Sequence, residues 1–150
     1  MRGLEIRKAV ANDSPFVYET KRAAFKEYVD QVFGWDEEQQ HLLHRQRFVS
    51  QDFRIVGLNG KDVGILAVDI QADCVKLNQV FLAPEFQGLG IGKACMLQVM
   101  KEADQLKLPI HLQVLKVNPR ARVFYERLGF VCTGETETHV LTAYKGEHNE

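Results

Sequence analysis

From Val80 to Met100 the chain reads VFLAPEFQGLGIGKACMLQVM, with Gly88, Gly90 and Gly92 at alternate positions between a strand-like and a helix-like run. Glycine in a regular element costs about 0.5–1 kcal/mol relative to alanine, so three together need a physical reason. Such a pattern offers one if the backbone must come close to an anion. The first N–H groups of a helix lack intrahelical acceptors, point one way and carry the positive end of its dipole. A phosphate seated there would be held off by side chains at the glycine positions. The plainer alternative is a flexible turn.

Spacing excludes two familiar phosphate loops. A dinucleotide fingerprint G-x-G-x-x-G counted from Gly88 puts Lys93 at its last place, and Leu115 and Lys116 stand where an acidic residue should close the next strand. A Walker A loop ending on Gly92-Lys93 would need glycine at Gln87 and a hydroxyl residue at Ala94. A second constellation lies downstream in NPRARVFYERLGF, where Asn118 and Tyr125 are seven residues apart. That is about two helical turns, so both project from one face.

The elements that must position these residues read as follows. Leu4 to Val10 alternates as a first strand. Ser14 before Pro15 predicts an N-cap and first helical position, with a helix to about Val32 that carries Phe16, Ala23, Tyr28 and Val32 and stops at Gly34. A second helix starts at Asp36, with Gln39 at the third position of a capping-box variant, and continues through Leu42, Leu43 and Phe48. Three strands follow, FRIVGLN, DVGILAVDIQ and CVKLNQVFLA, the first two joined by the hairpin signal NGKD. Then come a helix from about Gly90 to Leu106, the strand IHLQVL, a short helix capped by Asn118, and the strands FVCT and THVLTAY. This order, β-α-α-β-β-β-α-β-α-β-β, predicts an α+β fold with an antiparallel meander and a crossover.

Composition narrows the class. At 150 residues and 45% hydrophobic, the chain fits one domain (residues 1–145) with a polar tail, 146–150. Nineteen basic and twenty acidic side chains give a net charge of −1, which leaves no footprint for nucleic acid or an anionic membrane. Cys74, Cys95 and Cys132 are odd in number and lack a CxxC spacing, which favours reduced thiols and a cytoplasmic location. No run approaches the ~18–20 apolar residues of a membrane span. His41 and His44 share a helical face but lack a third metal ligand, and read as solvated.

The segment Gln87-Gly88-Leu89-Gly90-Ile91-Gly92, a Q-x-x-G-x-G signature between strand and helix, resembles the GCN5-related N-acetyltransferases (GNAT). NPRARVFYERLGF is similar to that family's later N-x-x-A-x-x-x-Y-x-x-x-G-F motif, and the element order agrees over nearly the whole chain. The resemblance implies a mixed, mostly antiparallel sheet of about seven strands flanked by about four helices. It implies acetyl-CoA as co-substrate, no metal, and a small-molecule or peptide amine as acceptor. The pyrophosphate would lie on Gln87, Gly88, Leu89, Gly90, Ile91, Gly92 and Lys93, and the pantetheine arm along the backbone of Val80, Phe81 and Leu82. Asn118 would touch the pantetheine as well as cap its helix, and Tyr125 would assist the departing thiolate. The plainer role of Tyr125 is a core aromatic beside Phe124 and Leu128.

A general base is where the chain departs from the family. Asn78 and Gln113 stand where relatives carry glutamate, and an amide accepts no ammonium proton. His111, His139 or a water chain remain as substitutes. For the acceptor, Trp35 precedes the carboxylates Asp36 and Glu37, an arrangement that would receive a protonated amine by cation–π attraction. Two alternatives stay open: a non-catalytic acyl-CoA sensor, and an enzyme using a longer acyl group. The oligomeric state, monomer or homodimer, is also open.

Overall fold

The computed structural model describes residues 1–146; residues 147–150, most of the expected polar tail, lie outside the described residues. Seven strands, β1 (Leu4–Lys8), β2 (Phe53–Leu58), β3 (Lys61–Ile70), β4 (Val75–Leu82), β5 (Ile110–Leu115), β6 (Val131–Glu135) and β7 (His139–Tyr144), form one sheet in the order β1-β2-β3-β4-β5-β7-β6. Every pairing is antiparallel except β4 with β5. The four α-helices are α1 (Ser14–Phe33), α2 (Glu37–Ser50), α3 (Ile91–Leu106) and α4 (Pro119–Arg127). The element order is the one the sequence predicts, with added 3-10 turns at Ala11–Asp13 and Pro84–Phe86.

Two apolar clusters lie on opposite faces of the sheet. The larger joins α3 and α4 to the sheet through Ile91, Cys95, Met96, Val99, Met100, Ala103 and Tyr125. The α3 members recur at i, i+4, i+5, i+8, i+9 and i+12, the stripe of a helix with one buried face. Each large aliphatic side chain buried this way stabilises the fold by about 1.5–3 kcal/mol before entropy is counted. The smaller cluster, with Val17, Phe53, Ile55, Ile65 and Ala67 at its centre, packs the α1–α2 side. The β2–β3 hairpin turns through Asn59 (φ 53°) and Gly60 (φ 83°), both left-handed, which matches the strands' twist.

The start of α1 differs from expectation. Asp13, not Ser14, is the residue before the helix, and its carboxylate takes the Arg7 guanidinium at 2.8 and 2.9 Å and the Val10 N–H at 2.7 Å. Ser14 Oγ instead meets His44 Nε2 at 2.8 Å, which ties α1 to α2. His44 is therefore half-buried rather than solvated, and burial lowers its pKa. His41 stacks on the Tyr18 ring at 4.1 Å. The fully buried positions of α1 are Val17, Tyr18, Thr20 and Val29, whereas the predicted Ala23 is exposed.

Candidate active site

The parallel pair β4–β5 holds for only two registers, Val75↔Ile110 and Lys76↔His111. Beyond Lys76 the strands part, while the other edge of β4 stays paired with β3 up to Leu82. Backbone groups of β4 after the split therefore face a cleft instead of a neighbouring strand. β4 also bulges there: Val68 pairs with Leu77 and Ala67 with Gln79, so Asn78 is an extra residue. The bulge reverses which residues face which side. Val75 and Leu77, then Val80 and Leu82, pack with the α3 cluster, whereas Phe81 joins the α1 side and Gln79 reaches Gln51. Asn78 Nδ2 donates to Asp69 Oδ2 at 2.6 Å.

The cleft has a volume of about 920 Å³ and gathers Val80, Phe81, Asn118, Tyr125, His111 and His139 on its walls. Gln113 and Asn78 line it too, and among its described lining residues there is no aspartate or glutamate. Tyr125 is held between aromatic edges, its ring centroid 5.0 Å from Phe124 and 5.5 Å from Phe130. Burial pushes its phenol well above the ordinary tyrosine range, so the ring keeps its proton through the physiological range. Asn118 Oδ1 accepts the Ala121 N–H at 3.3 Å, which confirms the cap and does not use the Nδ2 end of the side-chain amide.

Gln87 to Lys93 follow β4 across the Pro84–Phe86 turn and lie outside the cleft lining. Gln87 Nε2 donates to the Leu82 carbonyl at 3.0 Å, which fastens the loop to the end of β4. The first intrahelical donor is Ala94, whose N–H reaches Gly90 O at 3.1 Å; the N–H groups of Ile91, Gly92 and Lys93 precede it and have no intrahelical acceptor. The glycines differ in what they supply. Gly88 (φ 76°) and Gly90 (φ 85°) need left-handed backbone. Gly92 does not: a Cβ there would meet Leu82 and Phe124 at 3.7 Å, ordinary contact. Ile91 buries its side chain in the core and so can offer only backbone, while Leu89 and Lys93 are exposed. Open donors at a helix start beside a strand edge freed from its neighbour fit a pyrophosphate and an amide-bearing arm.

Trp35, Asp36 and Glu37 stand outside the cleft lining. Asp36 caps α2 by accepting the Gln39 N–H at 2.9 Å. Glu37 takes Tyr18 Oη at 2.7 Å and Arg22 Nε at 2.8 Å, contacts that pull its pKa down to about 2. The Trp35 indole N–H is buried near Glu37 without hydrogen-bond geometry, in the wall of a small void shared with Lys21, Arg47 and Gln79. Those last three residues also line the main cleft and were not singled out from the sequence. A signal existed for Lys21: Val17, Lys21, Phe25 and Val29 form an i, i+4 row, and a lysine in an apolar row invites a question.

A seven-stranded mixed sheet split beside a helix-borne glycine loop defines an acetyltransferase-type fold. The sequence profile of the Acetyltransferase (GNAT) family matches residues 15–130, and the chain belongs to that family. An uncharacterized N-acetyltransferase of Methanocaldococcus jannaschii is 31% identical over 86 residues, 52% of this chain and 38% of that protein. A 5-NmdU N-acetyltransferase of Pseudomonas phage PaMx11 is 42% identical over 55 residues, 37% of this chain and 38% of that protein. Each match thus spans well under half of the relative's length. Among solved structures, the PaiA N-acetyltransferase from Thermoplasma acidophilum in complex with coenzyme A superposes with a TM-score of 0.79 at 20% identity, covering 95% of this chain and 98% of that one. Among the described residues, no helix is long and apolar enough to cross a membrane.

Proposed function

We infer that the protein transfers an acetyl group from acetyl-CoA to a primary amine by direct attack. The observation that carries this reading is the divergence of β4 from β5 after Lys76 and His111, beside the open helix start of α3. In this reading the backbone of Val80, Phe81 and Leu82 pairs with the pantetheine arm as a neighbouring strand would. Gln87 to Lys93 receive the pyrophosphate, and Asn118 steadies the arm from the opposite wall. The bulged backbone of β4 polarises the thioester carbonyl.

Transfer breaks the thioester C–S bond and forms a C–N bond, and the proton lost by the amine balances the one gained by the thiolate. In this reading Tyr125 hydrogen-bonds or protonates the leaving sulfur, a role supported by its position on the cleft wall and by the phenolic proton that it keeps. With no carboxylate among the described lining residues, the amine sheds its proton to water or through His111 or His139. Thiol release from acetyl-CoA, followed across a panel of amines with and without protein, tests the reading. Amine-dependent release supports transfer; acetyl-CoA binding without release under any amine would leave a sensor.

A further inference from the structure

Lys21 on α1 and Arg47 on α2 both line the cleft, and neither makes an ion pair among the described residues. Both are partly buried, and the other lysines and arginines buried to that degree, Arg22, Lys26 and Arg54, do find carboxylate partners, while the third cation on the cleft wall, Lys76, is exposed. Lys21 is half-buried, and it is coupled electrostatically to Arg47 and to the His44 ring, one cationic and the other capable of becoming so. Two like charges turned toward one cavity with no acid beside them are costly unless a ligand supplies the counter-charge.

A second observation points to the same place. Gln79 is 8% exposed, and its Nε2 donates to Gln51 Oε1 at 2.9 Å while its own Oε1 has no partner. Leaving a buried acceptor unmatched costs about 1–3 kcal/mol. Gln79 shares both the cleft and the adjoining small void with Lys21 and Arg47, and it sits next to the β4 bulge. The arrangement offers two cations for an anionic group and one buried carbonyl oxygen for an N–H. The cofactor's phosphates do not explain it, because the glycine loop opens α3, whereas Lys21 and Arg47 belong to the helices of the opposite face.

Resting on the acetyl-transfer reading above, we propose that the acceptor is a small amine bearing an anionic group, a carboxylate or a phosphate. Lys21 and Arg47 hold the anion, and Gln79 Oε1 takes an N–H of the amine and presents its nitrogen at the bulge. The polar ends of the acceptor are thus sorted by charge: anion toward α1 and α2, amine toward β4.

The test uses matched pairs with wild-type protein and acetyl-CoA: glycine against glycinamide, β-alanine against β-alaninamide, O-phosphoethanolamine against ethanolamine, and spermidine as a polycation. The anionic member of at least one pair should show kcat/KM ten-fold or more above its neutral partner, and which pair does so distinguishes carboxylate from phosphate. Lys21→Met and Arg47→Met should each lower that ratio ten-fold or more through KM, while Lys21→Arg and Arg47→Lys keep most of it. Equal rates within every pair, a preference for spermidine, or a ratio that survives both methionine variants overturns the proposal, and the wild-type ratios decide even if a variant fails to fold. The rise in Tm with acetyl-CoA reports on the cofactor reading alone. Its absence brings down acetyl transfer, as does its presence without amine-dependent turnover, whereas its presence with turnover that shows no anion preference brings down only the anionic acceptor.

Discussion

Asn78 donates its side-chain amide to Asp69 Oδ2 at 2.6 Å, from the very residue that the β3–β4 ladder skips. Asp69 Oδ1 in turn accepts the Asp52 N–H at 2.9 Å, so the carboxylate is fixed from both ends. The bulge is thereby pinned by a charge-assisted bond on the face away from α3.

Removing that pin should be felt in stability. Asn78→Ala deletes one partner of a charge-assisted bond and should cost about 1–3 kcal/mol in urea unfolding. Asn78→Asp keeps the shape but sets two carboxylates side by side, so its Tm deficit should be larger at pH 7 than at pH 4, where protonation relieves the repulsion. A deficit of equal size at both pH values would mean that the two groups do not face each other.

Gly92 offers a clean probe of the loop. Its backbone needs no left-handed conformation and a Cβ fits, so Gly92→Ala should fold and respond to acetyl-CoA. Gly92→Glu adds a negative charge among the first amides of α3 and should abolish the acetyl-CoA-dependent rise in Tm, which for a native-state ligand at 100 times its Kd corresponds to about 2.7 kcal/mol. If the glutamate variant is stabilised as much as the alanine variant, phosphates do not bind there.

Tyr125→Phe retains the ring between Phe124 and Phe130 and removes only the hydroxyl. Turnover should fall ten-fold or more, about 1.4 kcal/mol of barrier, with acetyl-CoA affinity nearly unchanged. Because burial raises the phenol's pKa, the wild-type rate should show no loss from Tyr125 ionisation around pH 10. Unaltered kcat in the phenylalanine variant would return Tyr125 to the core.

Lys21 makes a stability prediction opposite in sign to its functional one. Burial, and then repulsion from Arg47, bring its pKa from 10.5 down to about 8. Between those values the unfolded chain binds more protons than the folded one, so stability rises with pH across that window, and below it the folded state bears the strain of the charge. Lys21→Met should therefore raise Tm at pH 7 and flatten the rise between pH 8 and 10.5. A lower Tm at neutral pH would show that the ammonium is matched by a partner and not held in reserve.

Much of this was legible in the sequence because punctuation and period agreed. Asn59-Gly60 could only be a tight hairpin, Asn118-Pro119 opened α4, and Gly88 to Gly92 marked the α3 start. Ser14 was misread because any hydroxyl before Pro15 resembles a cap, whereas the start of α1 is set by Asp13, which Arg7 reaches from the end of β1, and Ser14 turns to His44. The bulge went unread, although its trace is present: the apolar phase moves from Val75 and Leu77 to Val80 and Leu82. Lys21, Arg47 and Gln79 were missed for a different reason. They meet from three separate elements, and the one signal along the chain, the apolar i, i+4 row that holds Lys21, says nothing of Arg47 or Gln79.

The split between β4 and β5 has one more consequence. An unpaired strand edge is a standing template for another chain, and proteins usually blunt such edges with charge, bulges or a covering element. Here the unpaired run of β4 lies in the middle of the sheet, flanked by Phe25, Val29, Leu43 and the start of α4 around the cleft, and it carries a bulge of its own. A flat strand of a second chain would have to displace these elements to pair there, whereas the narrow, amide-bearing arm of the proposed cofactor would not. The side chains that line the cleft thus also guard the edge, and trimming Phe25 or Leu43 should lower the resistance to self-association.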